Sequence, residues 1–287
     1  MRGLPYVGNK CQKAQKIIDA LPAGHRIIDV FGGGGSISLT AASSGKWDEA
    51  VYNDRRATVV ELLKTLLTDN PHIDLMKYVY MDRETFYNWR DNMPDSLERT
   101  LVLTVWSFGN GWESYLWGKK IEKEKLQLTR ALFWRDTGTS LDDLYAYTKN
   151  ETSIYGKYTA YHKRWCEVMN ARSSYAGELE RLQQLERLQQ LQQLERMQYS
   201  TLDYHDLVIR PDDIVYCDPP YVNTSKDYGG WDQDAFYAWL AACPAKQIYI
   251  SEYTQLPNTE VAFNLGKKHS LTSVGTRREE LLLKYVK

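Results

Sequence analysis

Four consecutive glycines, Gly32 to Gly35, follow directly on the run His25-Arg26-Ile27-Ile28-Asp29-Val30-Phe31, and this junction limits the fold more than any other part of the sequence. A short apolar run that ends in glycines is how a strand buried on both faces enters a turn. Ile37 to Ala42 then reads as a helix, and Glu49-Ala50-Val51-Tyr52-Asn53-Asp54 as a second strand ending in an acid. Strand, helix and parallel strand make a βαβ unit. The same pattern returns near the other end of the chain. Asp213-Ile214-Val215-Tyr216-Cys217 reads as a buried strand running into Asp218, Asp234 to Ala242 as a helix, and Gln247 to Ser251 as another strand. Glu260 to Phe263 and Leu281 to Val286 fit an antiparallel hairpin that closes the sheet. The middle of the chain is different, rich in Trp, Tyr, Leu and charge. It shows helical patterns such as Leu97 to Trp106 and Lys119 to Phe133, with a glycine-bearing loop from Ser107 to Trp112. The expected fold is therefore α/β, with residues 1–65 and 199–287 building one sheet around a helical insertion at 66–198. A chain of 287 residues is long enough for such a core and its insertion.

Glycines let the backbone approach a ligand closely and adopt positive φ. The helix that follows offers free N–H groups at its N-terminus, so a nucleotide or nucleoside fits at this turn. A ligand-free flexible turn is the plain alternative. The placement after an apolar strand argues against it, and so does Asp54 at the end of the next strand. An acid about twenty residues on suits a ribose diol. This region alone does not choose between a nicotinamide dinucleotide and S-adenosylmethionine.

Asp218-Pro219-Pro220-Tyr221 ends the strand Ile214 to Cys217. Two prolines fix two φ angles and remove two donors, which leaves a carboxylate, a rigid carbonyl and an aromatic ring at the carboxyl end of a strand. An exocyclic amine on a planar base carries two N–H bonds and a π face. Asp218 can accept one N–H, the Pro219 carbonyl the other, and Tyr221 can stack on the ring. Held this way, the amine nitrogen frees its lone pair for attack on a methyl group. The bland alternative is a Pro-Pro turn that merely caps a strand.

With these motifs in this order, the chain resembles the Dam-type (D12 class) N6-adenine-specific DNA methyltransferases. The matching segments are Tyr6-Val7-Gly8-Asn9-Lys10, Phe31-Gly32-Gly33-Gly34-Gly35, the helical insertion and Asp218-Pro219-Pro220-Tyr221. The resemblance covers residues 1–65 and 199–287 and leaves the middle aside. It implies a Rossmann-like, S-adenosylmethionine-dependent methyltransferase core with a helical target-recognition insertion, acting on adenine N6 in double-stranded DNA. Restriction–modification is the setting it carries. Residue by residue, it implies that Tyr6, Asp29, Phe31, Gly33, Gly35, Asp54, Asp203 and Tyr204 attend the cofactor, with Asp206 a competitor for the role of Asp203. It places Lys10 beside the catalytic residues Asp218, Pro219, Pro220 and Tyr221. Val30 and Asn9 depart from residues common in the family, which has Pro and Gly there.

A target base inside a duplex must leave the stack to reach Tyr221, so the insertion has to fill the gap and read flanking bases. Its candidates are Asn110, Trp112, Lys119, Lys120, Lys123, Arg130, Arg135, Lys157, Lys163 and Arg164, set against the plain reading of a solvated charged face. The net charge of −1 lacks the basic excess of a dedicated nucleic-acid binder, although an enzyme can keep its positive charge in one groove. Within the insertion, Leu179, Leu182, Leu185, Leu188, Leu191, Leu194 and Met197 fall every third residue. Such a step stacks leucines on one face of a 3₁₀-helix but slips about 60° per unit on an α-helix. Long 3₁₀ runs are uncommon, so both forms stay open, as do the roles of spacer, dimer surface and arm. Cys11, Cys166, Cys217 and Cys243 show no metal-ligand spacing, so reduced thiols and no metal site are expected. No apolar stretch suits a membrane span or a leader, which places the chain in the cytoplasm. Cytosine N4 or RNA-base methylation and a nicotinamide-dependent oxidoreductase are the alternatives.

Overall fold

A computed structural model of the chain describes residues 1–68, 73–134, 177–191, 196–221, 231–267 and 279–287, together with Gly156, Ala160 and Lys163. Two compact units emerge. One comprises residues 1–3, 9–60 and 194–287, the other residues 4–8 and 61–193. Residues 4–8, expected in the sheet-bearing part, thus group with the helical unit.

The first unit is built on a seven-stranded sheet. Its strands are β1 (Arg26–Asp29), β2 (Glu49–Asn53), β3 (Met197–Ser200), β4 (Ile214–Cys217), β5 (Gln247–Glu252), β6 (Thr259–Lys267) and β7 (Glu279–Tyr285). Their spatial order is β3-β2-β1-β4-β5-β7-β6. The first five are parallel neighbours, and β7 pairs antiparallel with both β5 and β6. The expected closing hairpin is present, longer than its apolar residues alone suggest. Strands β1 and β4 are buried at every residue, which is why each reads as a continuous apolar run rather than an alternation. Ile28, Val30, Val215 and Ile250 share one core with Phe236 and Leu240 from the helix α8 (Gln233–Ala242). Each such side chain contributes about 1.5–3 kcal/mol by leaving water. At the opposite ends of these strands, Arg26 forks onto Asp213 through two hydrogen bonds of 2.9 and 2.6 Å and fixes the register of β1 against β4.

This strand order has a functional consequence. The chain leaves β1 toward β2 and β3, then returns to the other side of β1 as β4. Ligands of open α/β sheets bind outside the carboxyl ends of strands where the order reverses in this way. The glycine turn after β1 and Asp218 after β4 both lie there.

Helix α1 (Ala14–Ala20) packs against α2 (Ser36–Ser44), and Lys46 closes its C-terminus by donating to the carbonyls of Ile18, Asp19 and Leu21. Helix α3 (Ala57–Leu67) follows β2. In the second unit lie α4 (Arg83–Asp91), α5 (Leu97–Trp106), α6 (Lys119–Trp134) and α7 (Gly177–Gln189). Asp82 and Ser96 cap α4 and α5 through the N–H groups of Thr85 and Arg99. Between α5 and α6, Trp106, Tyr115 and Trp117 form a buried aromatic knot.

The leucine repeat is corrected here. It is not one rod from Leu179 to Met197: residues Gly177–Gln189 are α-helical and Met197 begins β3. Leu182, Leu185 and Leu188 are all buried. Three leucines at steps of about 100° per residue cover about 120° of arc, the width of an ordinary buried stripe. The spiral that disfavours a long rod does not develop over so short a helix. Arg181 sits within that arc and donates to the carbonyls of Val105 and Ser107, both at 2.6 Å. Leu194, Cys166, Arg135, Lys157 and Arg164 lie outside the described residues.

Candidate active site

Two turns define the site in the first unit. The glycine turn is held by three consecutive residues at the end of β2. Asn53 O accepts from Gly32 N at 2.7 Å. The Tyr52 hydroxyl donates to Gly33 O at 2.7 Å. Asp54 Oδ2 accepts from Gly33 N at 2.9 Å, while its Oδ1 accepts from Arg56 N at 2.8 Å. A Cβ on Gly32 would lie 2.3 Å from the Tyr52 ring, so glycine is obligatory there for want of space. Gly33 and Gly35 are obligatory for conformation, with φ of 48° and 77°. Gly35 caps α2 without a side-chain bond, which leaves the first turn of that helix uncapped by the protein's side chains.

Asp29, at the end of β1, is buried beside this turn. Its Oδ2 accepts from the Ser38 hydroxyl at 2.6 Å, and its Oδ1 is buried with no hydrogen-bond partner among the described residues. Burial pushes its pKa up to about 7, with Asp218 and Asp54 adding to the rise and Ser38 opposing it. Burial also raises the Asp54 carboxyl, against the N–H groups of Arg56 and Gly33. Phe31 packs against Tyr204 at 5.5 Å between ring centroids, and against Trp231 at 5.6 Å. Asp203 turns away into its own segment, where Oδ1 accepts from His205 N and meets the His205 ring at 2.7 Å.

The second turn carries the charge. Lys10 precedes α1, and its carbonyl accepts from the N–H groups of Lys13 and Ala14. Its ammonium lies 2.5 Å from Asp218 Oδ2 and 3.5 Å from Glu280 Oε1. Burial works against that ammonium, but Asp218 and Glu280 together hold its pKa above the ordinary lysine value. Burial raises the Asp218 carboxyl, Lys10 opposes the rise, and Glu280 adds to it. Asp218 Oδ1 is buried without a hydrogen-bond partner among the described residues. Among the described residues one oxygen of the carboxylate is pinned and the other has no hydrogen-bond partner, while the Tyr221 side chain also opposes the rise.

Tyr221 is buried. Its hydroxyl donates to Glu280 Oε1 at 2.9 Å, its ring meets the edge of Tyr253 at 4.6 Å, and Lys10 Nζ lies 4.9 Å from its centroid. Pro219 is buried and Pro220 half-buried between these residues.

The structure thus brings together Lys10, Asp218 and Tyr221 at one turn, and Asp29, Phe31, Gly33, Gly35, Asp54 and Tyr204 at the other. Tyr6 belongs to the helical unit, where its ring stands edge-on to Trp112 at 5.9 Å. Lys119, Lys120, Lys123 and Arg130 are exposed there, Lys163 likewise, and Arg130 lies over the Tyr80 ring at 5.0 Å. Sequence reasoning missed Glu280, Lys13, Tyr253, Tyr52, Asn53 and Trp231. Only Tyr52 and Asn53 carried a signal, as the residues just before the strand-ending acid. Among the described residues no group of side chains suits a metal ion, and Cys11, Cys217 and Cys243 are free thiols. No helix among them is long and apolar enough to cross a membrane.

A family model described as D12 class N6 adenine-specific DNA methyltransferase matches residues 6–239. Among curated proteins, none matches. The match spans both turns, takes in the helical unit between them, and ends within α8. The chain belongs to the D12 class of N6 adenine-specific DNA methyltransferases.

Proposed function

We propose that the methyl group transferred to adenine N6 comes from S-adenosylmethionine held at the glycine turn, and that the adenine leaves duplex DNA to meet Asp218. Three features support the cofactor assignment. Gly33 and Gly35 clear the backbone for close approach. Asp54 uses one acceptor position on each oxygen, which leaves capacity for two ribose hydroxyls. Asp29 keeps a buried oxygen without a partner among the described residues, as expected where a ligand completes the set. S-adenosylmethionine supplies an electrophilic methyl group on a sulfonium, and a pocket bearing Asp29 and Asp218 suits that positive charge.

The observation that carries the reading is the Asp218 carboxylate itself, pinned by Lys10 on one oxygen and open on the other. The open Oδ1 accepts one N–H of the adenine amine, and the Pro219 carbonyl accepts the other. This holds the nitrogen lone pair out of the ring plane and toward the electrophile. As the N–C bond forms, the methyl–sulfur bond of the donor would break to leave the neutral thioether S-adenosylhomocysteine, and the nitrogen must lose a proton. Asp218 Oδ1 is the acceptor within reach, and burial already favours its protonated form. No side-chain nucleophile is required, because the base is the nucleophile.

The helical insertion serves target recognition in this reading. The loop between α5 and α6 supports it. Asn110 and Trp112 hold φ of 60° and 66°, rare for non-glycine residues, and Phe108 is 61% exposed. Lys119, Lys120 and Arg130 are exposed, as phosphate contacts require. No observation favours cytosine N4, RNA-base or nicotinamide chemistry.

The test is incubation of wild type and Asp218→Asn with labelled S-adenosylmethionine and duplex DNA, followed by nucleoside analysis. Wild type should yield N6-methyladenine. The variant should lose about 10²–10³-fold in rate, the usual cost of removing a group that acts in the transition state, while calorimetry shows cofactor affinity nearly unchanged. Wild-type turnover by the variant removes Asp218 from the chemistry.

A further inference from the structure

Glu280 lies on β7, beyond the residues matched by the family model. Its side chain is 2% exposed, less than that of any charged partner around it. Three groups converge on it. The Tyr221 hydroxyl donates to Oε1 at 2.9 Å, Lys13 Nζ donates to Oε2 at 2.8 Å, and Lys10 Nζ stands 3.5 Å from Oε1. Lys10 is in turn bound to Asp218. The cluster therefore holds two ammonium groups and two carboxylates in balance. A lone carboxylate so deeply buried costs several kcal/mol and persists only where partners satisfy it. Here the partners are the residues on either side of the catalytic aspartate.

We propose that Glu280 is a positioning residue for methyl transfer: it locks the Tyr221 hydroxyl and shares the Lys10 charge, so that Asp218 keeps enough negative charge to accept from the target amine. This rests on Asp218 being the group that meets the amine. Without Glu280, the whole charge of Lys10 falls on Asp218 at 2.5 Å, and the Lys13 ammonium loses the carboxylate that holds it. The carboxylate is then a poorer acceptor for the proton the amine must lose. Shape alone does not require a carboxylate here. A glutamine accepts the Tyr221 hydroxyl equally well, so the charge is the property that separates a positioning role from a packing one.

Among the described residues the other titratable groups near this cluster are Asp29, Tyr216, Cys217, Tyr253 and, beside Tyr253, the buried Glu252. Asp29 comes from β1, and Tyr216 from β4 with its hydroxyl on Ser251 at 2.7 Å. Cys217 precedes Asp218, and Tyr253 follows β5. Burial raises Asp29, Tyr216, Cys217 and Tyr253, so the two tyrosines and the cysteine stay neutral near pH 7 while Asp29, pushed up to about 7, titrates there. The negative charge of Glu280 raises both the Asp218 and the Lys10 pKa. Removing it lowers both.

The experiment is the pH dependence of kcat, by single turnover with saturating S-adenosylmethionine and duplex DNA. It compares wild type, Glu280→Gln, Lys13→Gln and Asp218→Asn, with thermal melts to confirm folding. In Glu280→Gln both limbs should move to lower pH by about one unit, with kcat reduced and KM for DNA little changed. Lys13→Gln removes a positive charge from the same cluster and should move both limbs the other way. It also tests the proposal if the Glu280→Gln variant fails to fold. Limbs that coincide with wild type in either folded variant overturn the proposal and leave Glu280 a packing residue. Retained activity in Asp218→Asn overturns the underlying reading instead.

Discussion

At the residue scale, the site keeps two carboxylates, Asp29 and Asp218, each with a buried oxygen that has no hydrogen-bond partner among the described residues. Such groups are costly in the fold, and their placement beside two ligand-suited turns is the reason to tolerate the cost. Asp29 makes this measurable. Its pKa is about 7 in the fold, above the ordinary carboxylate value, so the folded state binds the proton more tightly than the unfolded chain. Its contribution to stability therefore falls as pH rises from about 4 to about 7 and stays low beyond. Asp29→Asn should remove that dependence. Melts of the two proteins should converge near pH 4, and the gap should open to a few kcal/mol in the variant's favour above pH 7. Calorimetry should show weaker S-adenosylmethionine binding by the same variant. A gap independent of pH would mean that Asp29 titrates in the fold as it does in the unfolded chain. Asp54→Ala should likewise weaken cofactor binding by about 1.5–3 kcal/mol, the worth of a charge-assisted hydrogen bond. It also frees the N–H groups of Gly33 and Arg56, so an unchanged affinity would confine Asp54 to shaping the turn.

At the element scale, legibility followed the range of the interactions involved. The strand before Gly32 and the strand before Asp218 were readable because burial on both faces writes a continuous apolar run. The leucine repeat was only half readable. Its period is a property of the sequence, but whether seven units form one rod depends on where the chain must rejoin the sheet, and it does so at Met197. Glu280 was not readable at all. It sits in a run of Arg and Glu that looks like a solvated edge, and its partner Lys13 is 267 residues away in sequence. The aromatic packing of Phe31 on Trp231 was hidden for the same reason. Leu182, Leu185 and Leu188 are buried within the chain. Leu185→Ala should cost about 2–5 kcal/mol in urea unfolding, while Leu191→Ala, which is half-buried, should cost about 1 kcal/mol or less. Equal small losses at both positions would mean that α7 does not pack as described.

At the scale of the whole molecule, a net charge of −1 leaves little general attraction to DNA. Binding then depends on local positive charge, and exposed Lys119 and Lys120 at the start of α6 are the nearest candidates. Replacing both with alanine should weaken binding to all duplexes alike and reduce the salt slope by about two counterions. S-adenosylmethionine affinity should stay unchanged. A loss confined to one DNA sequence would assign these lysines to base reading. The sheet itself has a further consequence, for synthesis. Its central strand β1 pairs with β2 at once but must wait for β4, and Lys10 must wait for a partner 208 residues downstream. At roughly 5–20 residues per second, the interval is on the order of ten seconds or more. During that time the nascent sheet offers an open edge at β1, and Lys10, buried in the finished fold, lacks the carboxylates that neutralise it there. A ribosome stalled within the insertion would release a chain that has the residues of the glycine turn but neither Asp218 nor Glu280. Such a chain carries the glycine turn but no carboxylate to hold the target amine.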